Sequence, residues 1–126
     1  MPATSETRRI LLIDDNDTFR GMARQMLVKA GYEVQEAANG EIGLTYYRQQ
    51  SIALVITDIV MPTMEGLETI RKLRRLNPEV KIIAMSGVDH ADPYLESAKM
   101  FGARRVLRKP FTHDELLTAV TDVLAT

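Results

Sequence analysis

The chain has 126 residues, of which 45% are hydrophobic and 26% are charged, and its formal net charge at neutral pH is −1. These values fit one globular domain with a hydrophobic core and exclude a disordered chain. The near-neutral charge argues against nucleic acid or an anionic membrane as a partner. The chain has no cysteine, which excludes a disulfide framework, a thiolate metal site and a cysteine nucleophile.

The N-terminus is short and polar, and no apolar stretch in the chain approaches the roughly 18 residues that a bilayer span requires. Because the first residues contain no apolar core, they do not form a signal peptide. We therefore predict a polar N-terminal lead-in over residues 1–8, one domain over residues 9–126, no membrane partner and a cytoplasmic location.

Five short segments are predicted to be β-strands, and they fall at residues 10–13, 32–35, 54–56, 80–85 and 104–108. The first, third and fourth are predominantly apolar and rich in branched residues, as in strands that are buried on both faces of a parallel sheet. The second and fifth are more polar, and the fifth carries Arg104, Arg105 and Arg108. Polar strands belong at sheet edges, where charge discourages pairing with other chains.

Helical patterns separate these strands. The apolar stripes are Phe19, Met22, Ala23, Met26, Leu27 and Ala30; Leu67, Ile70, Leu73 and Leu76; Leu95, Ala98 and Phe101; and Leu116, Val120, Val123 and Leu124. Gly31 ends the first helix, Asp92-Pro93 begins the fourth, and a capping box from Thr112 to Glu115 begins the fifth. Residues 41–50 form a less regular second helix.

Five successive βα units with right-handed crossovers predict a doubly wound α/β domain. The predicted edges select a parallel five-stranded sheet of order 2-1-3-4-5, which is the flavodoxin-like arrangement. Ligands of such sheets bind beyond the carboxyl ends of the strands, near the switch point between the first and third strands.

Polar residues with complementary chemistry follow the ends of four predicted strands. Asp14 and Asp15 follow the first strand, Asp58 the third, Ser86 the fourth and Lys109 the fifth. Because these ends meet at one edge of the sheet, the carboxylates are expected to gather there and to bind a hard cation such as Mg²⁺. A lysine and a hydroxyl beside them suit phosphate oxygens. The set therefore predicts phosphoryl transfer to a carboxylate.

These residues also carry a family resemblance. Asp14-Asp15, Asp58 with the segment 61–66, Ser86-Gly87 and Lys109-Pro110-Phe111 resemble the signature of response-regulator receiver domains, in order and spacing, over roughly residues 9–124.

The resemblance implies a role for each site residue. Asp58 would be the phosphoacceptor, and Asp15, Asp58 and the backbone carbonyl of Val60 would bind Mg²⁺ directly, with Asp14 assisting through a water molecule. Ser86 and Lys109 would contact the phosphoryl group. The Lys109-Pro110 peptide bond is expected to be cis.

The resemblance also implies partners. The phosphoryl donor would be a phosphohistidine on a sensor histidine kinase or a histidine phosphotransfer protein. An output domain or target protein would bind the face formed by the fourth helix, the fifth strand and the fifth helix, and phosphorylation could drive homodimerisation. Such a domain catalyses only its own phosphorylation and dephosphorylation, so it is not a turnover enzyme.

The sequence departs from the family pattern at three valines. Val106 stands where many receivers have the Tyr or Phe that turns inward on activation, so a ring-rotation readout cannot operate there. Val60 and Val88 stand where relatives often carry polar side chains that orient a hydrolytic water. Because valines exclude water, we hypothesise a comparatively long-lived aspartyl phosphate.

Other classes remain as alternatives. A Mg²⁺-dependent phosphohydrolase would want an acid at the position of Val60, and a flavodoxin-like cofactor binder would be disfavoured by the acidic rim. A pseudo-receiver that binds partners constitutively would not need the intact set of acids and lysine.

The arginines of the fifth strand form either a partner surface or a charged edge. His90 and His113 are predicted to be surface residues that do not bind a metal.

Overall fold

The structure is a computed structural model, and it describes residues 9–59, 66–87, 98–99 and 101–126. Five parallel strands form one sheet of order β2-β1-β3-β4-β5, which confirms the predicted fold class and strand order. The strands are β1 (Arg9–Ile13), β2 (Glu33–Ala37), β3 (Leu54–Asp58), β4 (Ile82–Ser86) and β5 (Arg105–Arg108). The predicted lead-in over residues 1–8 lies outside the described residues.

Burial follows the position of each strand in the sheet. All residues of β3 and β4 are buried, and so are four of the five residues of β1. The edge strands β2 and β5 each have one buried residue. Val80 and Lys81 were predicted to be part of the fourth strand but precede β4, since β4 pairs with β3 only from Ile82 onward.

Four helices are described in full: α1 (Asp17–Lys29), α2 (Gly40–Gln49), α3 (Gly66–Leu76) and the C-terminal helix (His113–Leu124). The predicted capping box is confirmed, because the side chains of Thr112 and Glu115 each accept a hydrogen bond from the other residue's backbone N–H. Of the predicted fourth helix, residues 98, 99 and 101 are helical, whereas Asp92-Pro93 and Leu95 lie outside the described residues.

The helices cover two hydrophobic cores, one on each face of the sheet. The first core contains Leu11, Val55, Ile70, Leu73 and Ile82, among others. The second core contains the following residues from the other face of the strands, from α1 and from the C-terminal helix: Ile10, Leu12, Leu27, Ile56, Ile83, Leu116, Val120 and Val123. This arrangement leaves the carboxyl ends of the strands as a common edge.

Three positions that were predicted to lie on buried helical stripes are exposed: Met22 at 52%, Leu76 at 44% and Phe101 at 37% of their full surface. Met22 and Leu76 line surface grooves between helices. The ring centroid of Phe101 lies 5.9 Å from the guanidinium carbon of Arg71. The 3.6-residue period indicates the direction of a stripe but not its width, so it overestimated how far each core extends.

Within the described residues, no helix is both long enough and apolar enough to cross a membrane.

Candidate functional site

The predicted site residues lie at the carboxyl edge of the sheet. Asp14 follows β1, Asp58 and Ser86 are the last residues of β3 and β4, and Lys109 follows β5. Backbone hydrogen bonds hold this edge together: the Asp14 N–H donates to the Ala37 carbonyl at 3.1 Å, and the Lys109 N–H donates to the Ser86 carbonyl at 2.9 Å. The parallel pairing of neighbouring strands therefore brings these four chain segments to one place.

Three carboxylates form a compact acidic cluster at this edge. Asp14, Asp15 and Asp58 each contribute one oxygen, and these oxygens lie within 4.8 Å of one another. Asp14 and Asp58 are buried, whereas Asp15 is exposed. Such a set of oxygen ligands, open to solvent on one side, fits a hard divalent cation. The fourth predicted ligand, the Val60 carbonyl, lies outside the described residues.

The Lys109 side chain lies against the buried part of this cluster. Its Nζ donates to Oδ2 of Asp14 at 2.7 Å and to Oδ2 of Asp58 at 3.1 Å. Burial by itself lowers the pKa of Lys109, but the hydrogen bonds and charges of Asp14 and Asp58 outweigh it, so the pKa lies above its ordinary value of 10.5. Lys109 is therefore positively charged at neutral pH, and its charge offsets part of the repulsion between the two carboxylates.

The cis Lys109-Pro110 peptide bond is confirmed. Ser86 is fully buried at the end of β4, and its hydroxyl donates to the Gly87 carbonyl at 3.4 Å. Ser86 therefore lies at the predicted edge of the sheet, with its own local hydrogen bond.

A polar network that the sequence analysis missed holds Asp14 in place. The Asn16 N–H donates to Oδ1 of Asp14 at 2.9 Å, and Arg20 donates from Nη1 to the Asp14 carbonyl oxygen at 2.6 Å. Arg20 also pairs with Asp17 and Glu36 at 2.8 and 2.9 Å. The position of Arg20 in the first turn of α1 could have indicated this network. A cation is unfavourable near the N-terminus of a helix unless it has acidic partners nearby.

A second missed contact is aromatic. The Lys109 Nζ lies 4.3 Å from the ring centroid of Phe19, and the rings of Phe19 and Phe111 pack edge to face with centroids 5.2 Å apart. Phe19 was predicted only as one position of the apolar stripe of α1. It does pack against the second core, but it also contacts the site.

Two arginines of the predicted fifth strand, Arg104 directly before β5 and Arg105 at its start, contact the C-terminal part of the chain. Arg105 forms an ion pair with Asp122 of the C-terminal helix, and Arg104 donates to the Thr126 hydroxyl at 3.0 Å. Val106 is half-buried and packs against the first core. These contacts favour the charged-edge interpretation for Arg104 and Arg105, although both residues remain near the surface that was predicted to bind partners.

The fold and this edge together define a class: small doubly wound α/β domains with an acidic cluster and a lysine at the carboxyl ends of the strands. Comparison with known proteins identifies the family. Residues 10–121 match the response regulator receiver domain. The chain therefore belongs to the response regulator receiver domain family, as the sequence analysis predicted.

Individual relatives agree with this assignment. The chain is 33% identical to the chemotaxis protein CheY of Thermotoga maritima, over 92% of this chain and 97% of that protein. It is 32% identical to the sensor kinase CckA of Brucella abortus, over 95% of this chain but only 13% of that protein. A CheY-like receiver domain protein from Methanospirillum hungatei superposes with a TM-score of 0.86 at 30% identity, over 94% of each chain.

Proposed function

We propose that the chain is a phosphoacceptor switch of a two-component phosphorelay, in which Asp58 accepts a phosphoryl group from a phosphohistidine. The observation that carries this proposal is the shared contact of Lys109 with Asp14 and Asp58 beside the three-carboxylate cluster. A carboxylate nucleophile, two further acids for a cation and one fixed positive charge are the groups that phosphoryl transfer requires.

In the proposed reaction, a carboxylate oxygen of Asp58 attacks phosphorus in line with the bond to the donor imidazole nitrogen. The new O–P bond forms as the N–P bond breaks, and the bonding electron pair leaves with the imidazole, which takes a proton. Lys109 exchanges its contact with Asp58 for one with a phosphoryl oxygen, and the Ser86 hydroxyl donates to another.

In this mechanism Asp15, Asp58 and the Val60 carbonyl would hold Mg²⁺ directly, and Asp14 would assist through a water molecule. When bound, the cation neutralises charge on the phosphoryl oxygens and orients the group for attack. This assignment is supported by the exposure of Asp15 at the rim of the cluster, since a cation can reach the cluster from solvent there.

The phosphorylated state would differ from the resting state in its contacts at Lys109 and Ser86, and this difference would shift a conformational equilibrium. The readout would be binding of an output domain or target protein at the face formed by the predicted fourth helix, β5 and the C-terminal helix, or formation of a homodimer there. A groove in this face is lined by Val106, Arg108, Glu115 and Thr118, among others. The donor would be a cytoplasmic sensor histidine kinase domain or a phosphotransfer protein.

The test of phosphoryl acceptance is intact mass spectrometry after incubation with a small phosphodonor, with Mg²⁺ and with EDTA in its place. We expect the mass of one added phosphoryl group with Mg²⁺ and little or none with EDTA, because the buried carboxylates repel the incoming anion when no cation is bound. Accumulation without donor turnover would support the proposal that the chain is not an enzyme. Rapid donor consumption without accumulation would instead favour a phosphohydrolase, and no modification at all would favour a constitutive binding module.

The lifetime of the phosphoryl group gives a separate prediction. Val60→Glu and Val60→Asn should each accelerate loss of the phosphoryl group by about 10²-fold, because a polar side chain there could orient the attacking water. This effect is at the lower end of the roughly 10²–10⁴-fold range that general acid–base assistance supplies. The decay rate is measured by intact mass after the phosphodonor is removed, with Val60→Ile as the apolar control. Equal decay rates in all four proteins would contradict the hypothesis that Val60 protects the aspartyl phosphate.

A further inference from the structure

We propose that Phe19 is a positioning residue that holds the Lys109 ammonium group through the face of its ring. This inference deepens the proposed function, on which it rests, by assigning a role at the site to a residue of α1. Lysine has a flexible four-carbon stem and a compact charge, so the location of its ammonium group depends on the partners that surround it.

The geometry supports a cation–π contact. The distance of 4.3 Å between the Lys109 Nζ and the Phe19 ring centroid is well inside the roughly 6 Å limit for this interaction. The Lys109 side chain is only 16% exposed, and removal of a cation from water strengthens its attraction to a ring. The edge-to-face contact with Phe111 fixes the orientation of the Phe19 ring.

The contact matters because Lys109 and a cation would compete for the same carboxylates. The two anionic partners of Lys109, Asp14 and Asp58, also belong to the acidic cluster that fits a divalent cation. A bound cation would neutralise these carboxylates and weaken their attraction for the ammonium group. The Phe19 ring attracts an ammonium group without being a ligand for a hard cation, so it can keep Lys109 at the site when the carboxylates are engaged.

The test compares two substitutions. Phe19→Leu keeps an apolar side chain but removes the π-face, whereas Phe19→Tyr keeps the ring. The first readout is the NMR chemical shift of the Lys109 ε-methylene protons, which the ring current should move upfield in the parent protein and in Phe19→Tyr but not in Phe19→Leu. The shift should persist when Mg²⁺ is added to saturation.

The second readout is the rate of phosphoryl uptake from a small phosphodonor at saturating Mg²⁺. We expect Phe19→Leu to react about 2- to 5-fold more slowly, as the loss of a modest cation–π contact implies, and Phe19→Tyr to react at the parent rate. Circular dichroism and thermal unfolding confirm that each variant is folded before its rate is compared.

Two results would overturn the positioning role: an unchanged Lys109 shift in Phe19→Leu, or equal slowing in Phe19→Leu and Phe19→Tyr, which would indicate packing alone. Failure of the proposed function is distinguishable from both. If the parent protein takes up no phosphoryl group, the phosphoacceptor function fails, and the ring-current shift with and without Mg²⁺ still decides whether Phe19 holds Lys109.

Discussion

Asp58→Asn is expected to abolish phosphoryl uptake, so that intact mass spectrometry detects no phosphorylated protein under conditions that modify the parent completely. The amide that replaces the carboxylate is not a competent nucleophile, and it also removes one of the three acidic ligands of the cluster. The fold should survive, because Lys109 keeps its shorter hydrogen bond, to Asp14 at 2.7 Å. The thermal unfolding midpoint should therefore change by only a few degrees.

The matched control for this experiment is Asp122→Asn. Asp122 is an exposed acid of the C-terminal helix whose ion-pair partner is Arg105, and it does not belong to the acidic cluster. We expect this variant to take up a phosphoryl group at the parent rate. Phosphorylation of Asp58→Asn at an appreciable rate would show that another residue is the acceptor and would contradict the assignment of Asp58 as the phosphoacceptor.

The second large effect is on stability. Gly66→Ala should lower the free energy of unfolding by about 2–3 kcal/mol, as is typical of overpacked sites. A Cβ atom at Gly66 would lie 2.1 Å from the Asp58 carbonyl oxygen and 2.2 Å from the Ile59 Cα, and both neighbours are backbone atoms that cannot rotate away. The Gly66 N–H also donates to the Ile59 carbonyl at 3.0 Å, so the helix cannot withdraw without losing this bond.

Urea denaturation of Gly66→Ala beside Gly21→Ala provides the measurement and its control. Gly21 lies within α1, and apart from its chain neighbours and the backbone of its own helix no atom lies within 4 Å of the position of a Cβ. Alanine there should therefore raise the free energy of unfolding by about 0.5–1 kcal/mol. The two substitutions have identical chemistry and opposite expected signs. Equal stability of Gly66→Ala and the parent would contradict this prediction. It would show that the end of β3 can move, and that the position of Asp58 is therefore not fixed by this contact.

Local patterns predicted the framework of this protein correctly. Apolar strands lie at the centre of the sheet and polar strands at its edges because an edge strand is half solvated, and this difference is already visible in the residues of each segment. The capping box at Thr112 could be predicted because all of its partners lie within one turn of helix. Exposure was predicted less well, as Met22 and Phe101 show, since the width of a core depends on the neighbours of each helix.

The sequence by itself determined the order of the strands and the residues that follow them, and so it determined that acids and a lysine would meet at one edge. Only the tertiary structure decided how these residues are paired. The Lys109–Asp14 contact joins residues 95 positions apart, and it forms only because the first and fifth strands end at the same edge of the parallel sheet. Contacts of this kind, including that of Lys109 with Phe19, depend on distances across the fold that no local period encodes.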